Sequence, residues 1–288
     1  MIKSEVVVAD GEKVMMRSGI DRESKPKNMQ NTLRLATCSG LRRSIIIFLQ
    51  TGKKALSELR NDLGVSSTTV IHALRELEKD NLIFQDETRN YALTKIGEVI
   101  ALKLSDFIDV IDVLKKHEDF WLTHDLNGIP PHLLEKIGWL KDSTIVKDTA
   151  TDIFKSHSNF INLLEDVKEM RGVSSIFVPD YPHLFEELIL KKKADVELIL
   201  TKEVLEKIDE EILKEIFADK SSKFKLYITG KDIRACFTVS DYFMALGLFR
   251  VDETYDYSRD LVSYSRDAIR WGRELFEWYL KRAKRVFL

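Results

Sequence analysis

Side-chain chemistry needs particular residue types at particular spacings, and this sequence holds few such sets. No one of its six histidines carries a lysine two residues on. The His-x-Lys pair followed by Asp of the phospholipase D signature is therefore missing. His117, His124, His132, His157 and His183 include no i, i+4 pair, so no helical face offers two ligands to a metal. Neither HExxH nor GxSxG occurs. "QTGKKALS" contains Gly-Lys but lacks the upstream Gly of a phosphate loop and the Ser or Thr after the lysine. Cys38 and Cys236 lie far apart and form no CxxC, which argues against a zinc cluster and a disulfide framework and fits a reducing compartment. A thiol switch at either is the weaker reading, because a lone cysteine among Phe and Val is more often small core filler. No cofactor, no metal and no catalytic residue are expected.

What remains is a set suited to reading a surface. Ser67, Thr68, Thr69, His72 and Arg75 crowd into nine residues, with Lys79 one turn further on. Short hydroxyls followed by a cation, near a helix N-terminus, are the side chains that reach base edges in a major groove. Lys54, Lys79 and Arg89 are candidates for phosphate contact. The bland alternative is a solvated helix face. Charge lends little help: between Cys38 and Gly97 nine Lys/Arg face seven Asp/Glu, a balance of +2.

The elements that position this set can be read from periodicity. "SGLRRSIIIFLQTGKK" carries Ile45, Ile46, Phe48 and Leu49 at helical spacing and breaks at Gly52. "ALSELRNDLG" aligns Leu56, Leu59 and Leu63, with Gly64 where a helix ends. Ser66 or Ser67 caps a third helix, "STTVIHALRELEKDN", whose stripe of Val70, Leu74 and Leu77 faces inward. "LIFQDETRNYALT" follows as a hairpin with Thr88, Arg89 and Asn90 at its tip. Helix, helix, turn, helix, hairpin is the order of a winged helix-turn-helix. "LSELRNDLGVSSTTVIHALRELEKDNLI" followed by "YALTKIGEVIA" resembles the winged-helix transcription factors of archaea and bacteria over residues 40 to 104. Winged helices also serve as protein-interaction modules, so an adaptor role stays open.

One long helix is expected from Glu98 to Trp121, pairing either with its own domain or with its copy in a second subunit. Gly128, Pro130 and Pro131 then suggest a hinge at residues 127–131. Beyond it helical and strand patterns alternate. Helices are read over "KDTATDIFKSHSNFINLLEDVKEM", "PHLFEELILKKK", "KEVLEKIDEEILKEIFA" and the closing "SRDAIRWGRELFEWYLKRAKRVF". Strands are read at "VSSIFV", "DVELILT", "KFKLYIT", "IRACFTVS" and "YFMALGLFR". The expected fold is α+β / α/β. It comprises a flexible arm (1–37), a winged helix (38–104), a linker or dimerisation helix with hinge (105–131) and an α/β sensor domain (132–288).

From "HDLNGIPPHLLEKIGWL" to "YDYSRDLVSYSRDAIRWGRELFEWYLKRAKR" the chain resembles archaeal regulators, found mainly in methanogens, that join a winged helix to the C-terminal domain of the methanogenesis regulators. It is also similar to the phospholipase-D-like sensor domains of sugar-responsive archaeal regulators, without the catalytic residues. The resemblance implies a transcription factor with an effector-sensing domain. In an open α/β sheet an effector binds outside the C-terminal ends of strands. That rule picks out Asp180, Tyr181, His183, Thr201, Arg234 and Tyr257, with Cys236, Tyr255 and Asp256 nearby. For each alone, a structural role is the simpler reading.

A chain of 288 residues, 44% hydrophobic with net charge −2, suggests two ordinary soluble domains and a local nucleic-acid surface. No apolar run reaches the ~18 residues of a membrane helix, and the first thirty residues lack a signal-peptide core, so a cytoplasmic protein is expected. The expected partners are double-stranded DNA, a second copy of the chain and a small-molecule effector. The rival reading is an α/β enzyme with a regulatory winged helix.

Overall fold

The computed structural model describes residues 27–219, 221–230 and 233–287. The chain divides into two compact units, Met1–Ser105 and Asp106–Leu288. The valine run at residues 6–8 and most of the expected arm lie outside the described residues.

The first unit opens with α1 (Lys27–Thr37), followed by α2 (Gly40–Phe48), α3 (Leu56–Leu63) and α4 (Ser67–Lys79). Helix α1 corrects the expectation of an arm running to residue 37. Its polar sequence gave no sustained period because its partners are distant in sequence. Leu35 and Ala36 are buried, Asn31 and Thr32 donate side-chain hydrogen bonds to the Asp80 carboxylate, and Arg42 Nε donates to the Leu35 carbonyl at 3.2 Å. Helices α2 to α4 enclose Ile45, Ile46, Leu59, Val70, Leu74 and Leu77, all at most 1% exposed. Burying each such side chain stabilises the unit by roughly 1.5–3 kcal/mol.

Local signals fix the turns around α4. Gly64 ends α3 at φ 64°, in the left-handed region. The Ser66 hydroxyl accepts from the Thr69 N–H and caps α4. At the other end Asn81 takes φ 57°, its N–H bonds the Glu78 carbonyl, and the Leu82 N–H bonds the Leu77 carbonyl. This double closure releases the chain into a hairpin of β1 (Ile83–Gln85) and β2 (Tyr91–Leu93). Lys54 pairs its backbone with Tyr91 in both directions and adds a third short edge. The Thr94 hydroxyl then donates to Asn81 O and accepts from Gly97 N–H, starting α5 (Lys95–Lys116). A Cβ on Gly97 would lie 1.9 Å from the Leu82 carbonyl oxygen. The "LTxxG" spacing is thus a close crossing of helix and hairpin.

The boundary between the units falls within α5. The long helix expected to Trp121 stops sooner: α6 (Glu118–Thr123) is separate. His117, at φ −119° and ψ 34°, breaks the run and bonds through Nε2 to Ser143 O and Oγ at 3.2 and 3.1 Å. The expected hinge is also corrected. Gly128, Ile129 and Pro130 are buried, and Tyr279 donates its hydroxyl to the Gly128 carbonyl at 2.8 Å. Gly128 is there because the backbone of Arg234 and Ala235 passes where a Cβ would stand. The proline pair starts α7 (Pro131–Leu134) inside the core of the second unit.

The rest of that unit is a sheet with helices on both faces. Its elements are β3 (Thr144–Lys147), α8 (Lys155–Leu163), β4 (Glu169–Ser174), α9 (Tyr181–Glu186), β5 (Asp195–Thr201), α10 (Lys202–Leu205), α11 (Glu210–Ala218), β6 (Lys225–Thr229), β7 (Ala235–Ser240), β8 (Met244–Leu248), β9 (Arg259–Ser263), α12 (Arg266–Leu280) and β10 (Lys284–Arg285). The strands run in the order β10-β6-β5-β4-β7-β8-β9-β3, parallel between β4, β5 and β6 and antiparallel elsewhere. Several expectations change. The strand placed at "VSSIFV" is Glu169–Ser174, the helix read to residue 170 is only Lys155–Leu163, and Arg259–Ser263 is a strand. The single helix read over residues 202–218 is two, restarted where Asp209 caps Glu211 N–H.

The two faces of the sheet follow from alternation along each strand. On one face Val173, Ile199, Phe237, Val239, Leu246 and Leu261 join the core under α12, where Trp271, Leu275 and Phe276 are fully buried. The opposite face carries Gly172, Ser174, Cys236, Thr238, Ala245, Gly247 and Asp260. These small residues leave a space beneath α8 and α9.

Candidate functional site

Two regions hold the sequence-predicted residues, one in each unit. In the first, Thr68, Thr69, His72, Arg75 and Lys79 are all exposed along α4, and Ser67 is half-buried in its first turn. Thr69 Oγ1 lies 2.7 Å from Ser66 Oγ, so part of its hydrogen-bonding capacity serves the cap. Arg75 forms no ion pair among the described residues. Its neighbour Glu76 is held away by Arg42, 2.5 Å distant. The helix therefore presents hydroxyls, an imidazole and an unpaired guanidinium along one face.

The hairpin tip is built on one carboxylate. Asp86 Oδ1 accepts from the N–H groups of Thr88 and Asn90 and from the Thr88 hydroxyl, while Oδ2 meets Lys53 Nζ at 2.8 Å. Lys53 first, then Thr88 and Asn90, hold the Asp86 carboxyl well below the usual carboxylate range. This knot places Arg89 at φ 64° with its side chain in solvent. Lys54 is half-buried and tied to the hairpin by its backbone.

The second region is a cavity of about 590 Å3 between the small-residue face of the sheet, α8, α9 and the segment before β9. Of the six effector candidates it gathers three, Asp180, Tyr181 and Tyr257, with Cys236 and Tyr255 beside them. The other three lie elsewhere. His183 is exposed and faces Glu186 at 3.3 Å. Thr201 caps α10 by accepting from Val204 N–H. Arg234 pairs with Glu253 at 3.3 Å. Asp256 is buried in a network of its own: Arg250 donates to Oδ1 at 2.9 Å, Ser258 donates twice to the same oxygen, and His124 Nε2 lies 3.2 Å from Oδ2.

Sequence reasoning missed Asp260, His157 and Ser156. Asp260 is half-buried and lines the cavity. Ser156 Oγ donates to its Oδ2 at 2.5 Å. Burial pushes the Asp260 carboxyl up to about 6, with Asp256 and Asp148 adding to the rise and the Ser156 bond opposing it. His157 stacks on Tyr181 at 5.6 Å and 8°. Burial also raises the Tyr181 and Tyr255 phenols and the Cys236 thiol, so all three stay protonated at neutral pH. A carboxyl five residues before a helix cap, on a strand that the sequence pattern leaves unassigned, gives no signal in the sequence alone.

Two family models match the chain. Residues 30–112 match the N-terminal domain of the methanogenesis regulatory protein FilR1, and residues 153–282 match its middle domain. The chain belongs to this family of archaeal methanogen regulators. A family member from Methanothrix harundinacea (strain 6Ac) is 27% identical over 235 residues, which is 80% of this chain and 52% of that protein. The chain thus spans about half the length of the curated relative it matches. Among solved structures, TrmBL2, an archaeal chromatin protein, is 16% identical with a TM-score of 0.41, covering 91% of this chain and all of that one. The phospholipase D family member Nuc from Salmonella typhimurium is 11% identical with a TM-score of 0.40, covering 51% of this chain and 99% of that one. Both scores fall below one half. No helix among the described residues is long and apolar enough to cross a membrane.

Proposed function

We propose that the chain is a cytoplasmic transcriptional regulator that binds double-stranded DNA with α4 and the hairpin of its first unit. The observation that carries this reading is the exposed face of α4: Thr68, His72 and the unpaired Arg75, on a helix whose other face is sealed by Val70, Leu74 and Leu77. Membership of a regulator family supports it. In this reading Ser67, Thr68, Thr69, His72 and Arg75 face bases, and Lys79, Arg89 and Lys54 meet phosphate. Ser67 contributes least, being half-buried.

The regulator acts as a homodimer, with two α4 helices on half-sites roughly 34–36 Å apart. Support comes from α5, which leaves Ile96, Val99 and Leu102 about 60% exposed and carries Phe107 and Ile111 exposed further on. An apolar stripe of that kind on a charged helix is the seam of a helix pair. The second unit acts as the sensor, its cavity taking a small-molecule effector whose binding shifts DNA affinity. The phospholipase-D-like character of its sheet rests on the sequence resemblance, and the missing His-x-Lys pair favours a sensor over an enzyme. Arg75→Ala tests the docking. It should cost about 1–3 kcal/mol of specific binding with thermal unfolding unchanged, and unaltered operator affinity would contradict the proposal.

A further inference from the structure

The cavity of the second unit has a chemical bias that goes further than an unspecified effector. Among the described residues lining it there is no Lys or Arg, yet Asp148, Asp180 and Asp260 all reach its wall. Asp260 forms no ion pair with any described basic side chain. Among the described residues its one side-chain hydrogen-bond partner is the Ser156 hydroxyl, which solvates a single carboxylate oxygen. An ionised carboxylate largely withdrawn from solvent normally has a cation beside it, because losing hydration without one is costly. Here Asp260 lines the cavity instead.

The remaining walls suit the same kind of guest. His157, Phe160 and Phe185 pack around Tyr181, with ring centroids 5.3 to 6.0 Å away, and Tyr255 and Tyr257 stand edge to face at 5.0 Å. Aromatic faces attract cations through their quadrupoles, and more strongly when water is excluded. Lys207 already places its ammonium 5.8 Å from the Phe177 ring at this site without lining the cavity. A Cβ on Gly247 would lie 2.1 Å from the Tyr255 hydroxyl and 3.0 Å from Asp260 Oδ1, so glycine is what lets both groups line the floor of the site. A volume of about 590 Å3 falls in the range of small-molecule sites, roughly 300–1,000 Å3.

We propose that this cavity is built for an organic cation, an amine or quaternary ammonium with an apolar body, whose charge sits at Asp260 and whose body lies among the aromatic walls. The proposal rests on the reading of the cavity as the effector site and adds the ligand class. Anionic effectors such as phosphorylated metabolites and fatty acids are disfavoured by Asp148 and Asp260 on a described wall without Lys or Arg, where Asp180 alone has an ion-pair partner, His157 at 4.0 Å.

Isothermal titration calorimetry of the full chain, without DNA, with three probes of one shape tests it: 4-phenylbutylammonium, 4-phenylbutanol and 4-phenylbutanoate. The ammonium should bind about tenfold or more tightly than the alcohol, and the carboxylate should not bind. Asp260→Asn should erase the advantage of the ammonium over the alcohol. Tyr181→Leu should weaken the ammonium while leaving the carboxylate excluded. Carboxylate binding equal to that of the ammonium overturns the proposal, and so does the absence of binding by all three probes at concentrations up to about 10 mM. Operator binding by the same preparation is measured separately, so failure here leaves the DNA-binding reading standing and failure there leaves this one.

Discussion

Asp260→Asn is also a stability experiment, and its sign runs against the usual loss on mutation. The carboxyl sits at about 6 in the folded protein against an ordinary value of 3.8. A rise of roughly two units corresponds to ~3 kcal/mol between the two protonation states. The folded state keeps its proton to higher pH than the unfolded state, so between about 4 and 6 folding takes up a proton. Stability therefore falls as pH rises through this window, and the whole cost is present above it. Asparagine cannot ionise and escapes that cost, although it forfeits the charge-assisted part of the bond from Ser156, worth about 1 kcal/mol. Cavity water screens part of the effect, which makes ~3 kcal/mol an upper figure. The variant should be more stable than the parent at pH 8 by about 1–2 kcal/mol and equal or weaker at pH 4. All four tryptophans, Trp121, Trp139, Trp271 and Trp278, belong to the second unit, so fluorescence during urea unfolding reports that unit selectively. Parallel stability curves for parent and variant between pH 4 and 8 would refute the placement of a poorly solvated carboxyl at this wall.

Other perturbations follow from the same geometry. Gly97→Ala drives a methyl into the Leu82 carbonyl and should destabilise the first unit by about 1–3 kcal/mol, seen as an earlier circular-dichroism melt; an unchanged melt would contradict the tight crossing. Asp256 sits at about 2, because Arg250 and Ser258 outweigh the opposing effect of burial. Its contribution, roughly 2 kcal/mol, is present above pH 4 and lost as pH falls toward 2. Asp256→Asn should remove that acid limb and cost at least as much at pH 7, measured by the same tryptophan signal. Replacing Val99 and Leu102 together with lysine should convert a dimer to a monomer in sedimentation equilibrium; a parent that is already monomeric would remove α5 as the seam.

The first unit was legible because its signals are local. Gly64, Ser66 and the Val70, Leu74, Leu77 stripe each act within a few residues, and a close sequence spacing, "LTxxG", marks the one tight crossing. Helix α1 was not legible, since Asn31, Thr32 and Leu35 gain their partners from α2 and the end of α4. In the second unit, β7 and β8 read as strands because both their faces are buried and carry short, mostly apolar runs. Strand β4 was misplaced because Glu169 and Arg171 interrupt its apolar pattern. Those charges are tolerated at the sheet centre because Arg171 lies near Glu169, Glu197 and Glu277 and over the Phe276 ring. The cavity is a product of topology. Asp180, Tyr181 and Tyr257 could be guessed from strand ends, but Asp260 and Ser156 meet across 104 residues, and small residues on three strands, β4, β7 and β8, leave the void that no single segment announces.

The central claim is sequence-specific DNA binding by the first unit. Fluorescence anisotropy of the full chain, with a duplex from the region upstream of its own gene and a scrambled control, each at two salt concentrations, tests it most directly. Binding should be tighter to the natural duplex and should weaken steeply as salt rises, as phosphate contacts release counterions. Weak, salt-insensitive binding that is equal for both duplexes would contradict it, and would turn the exposed face of α4 toward a protein partner instead.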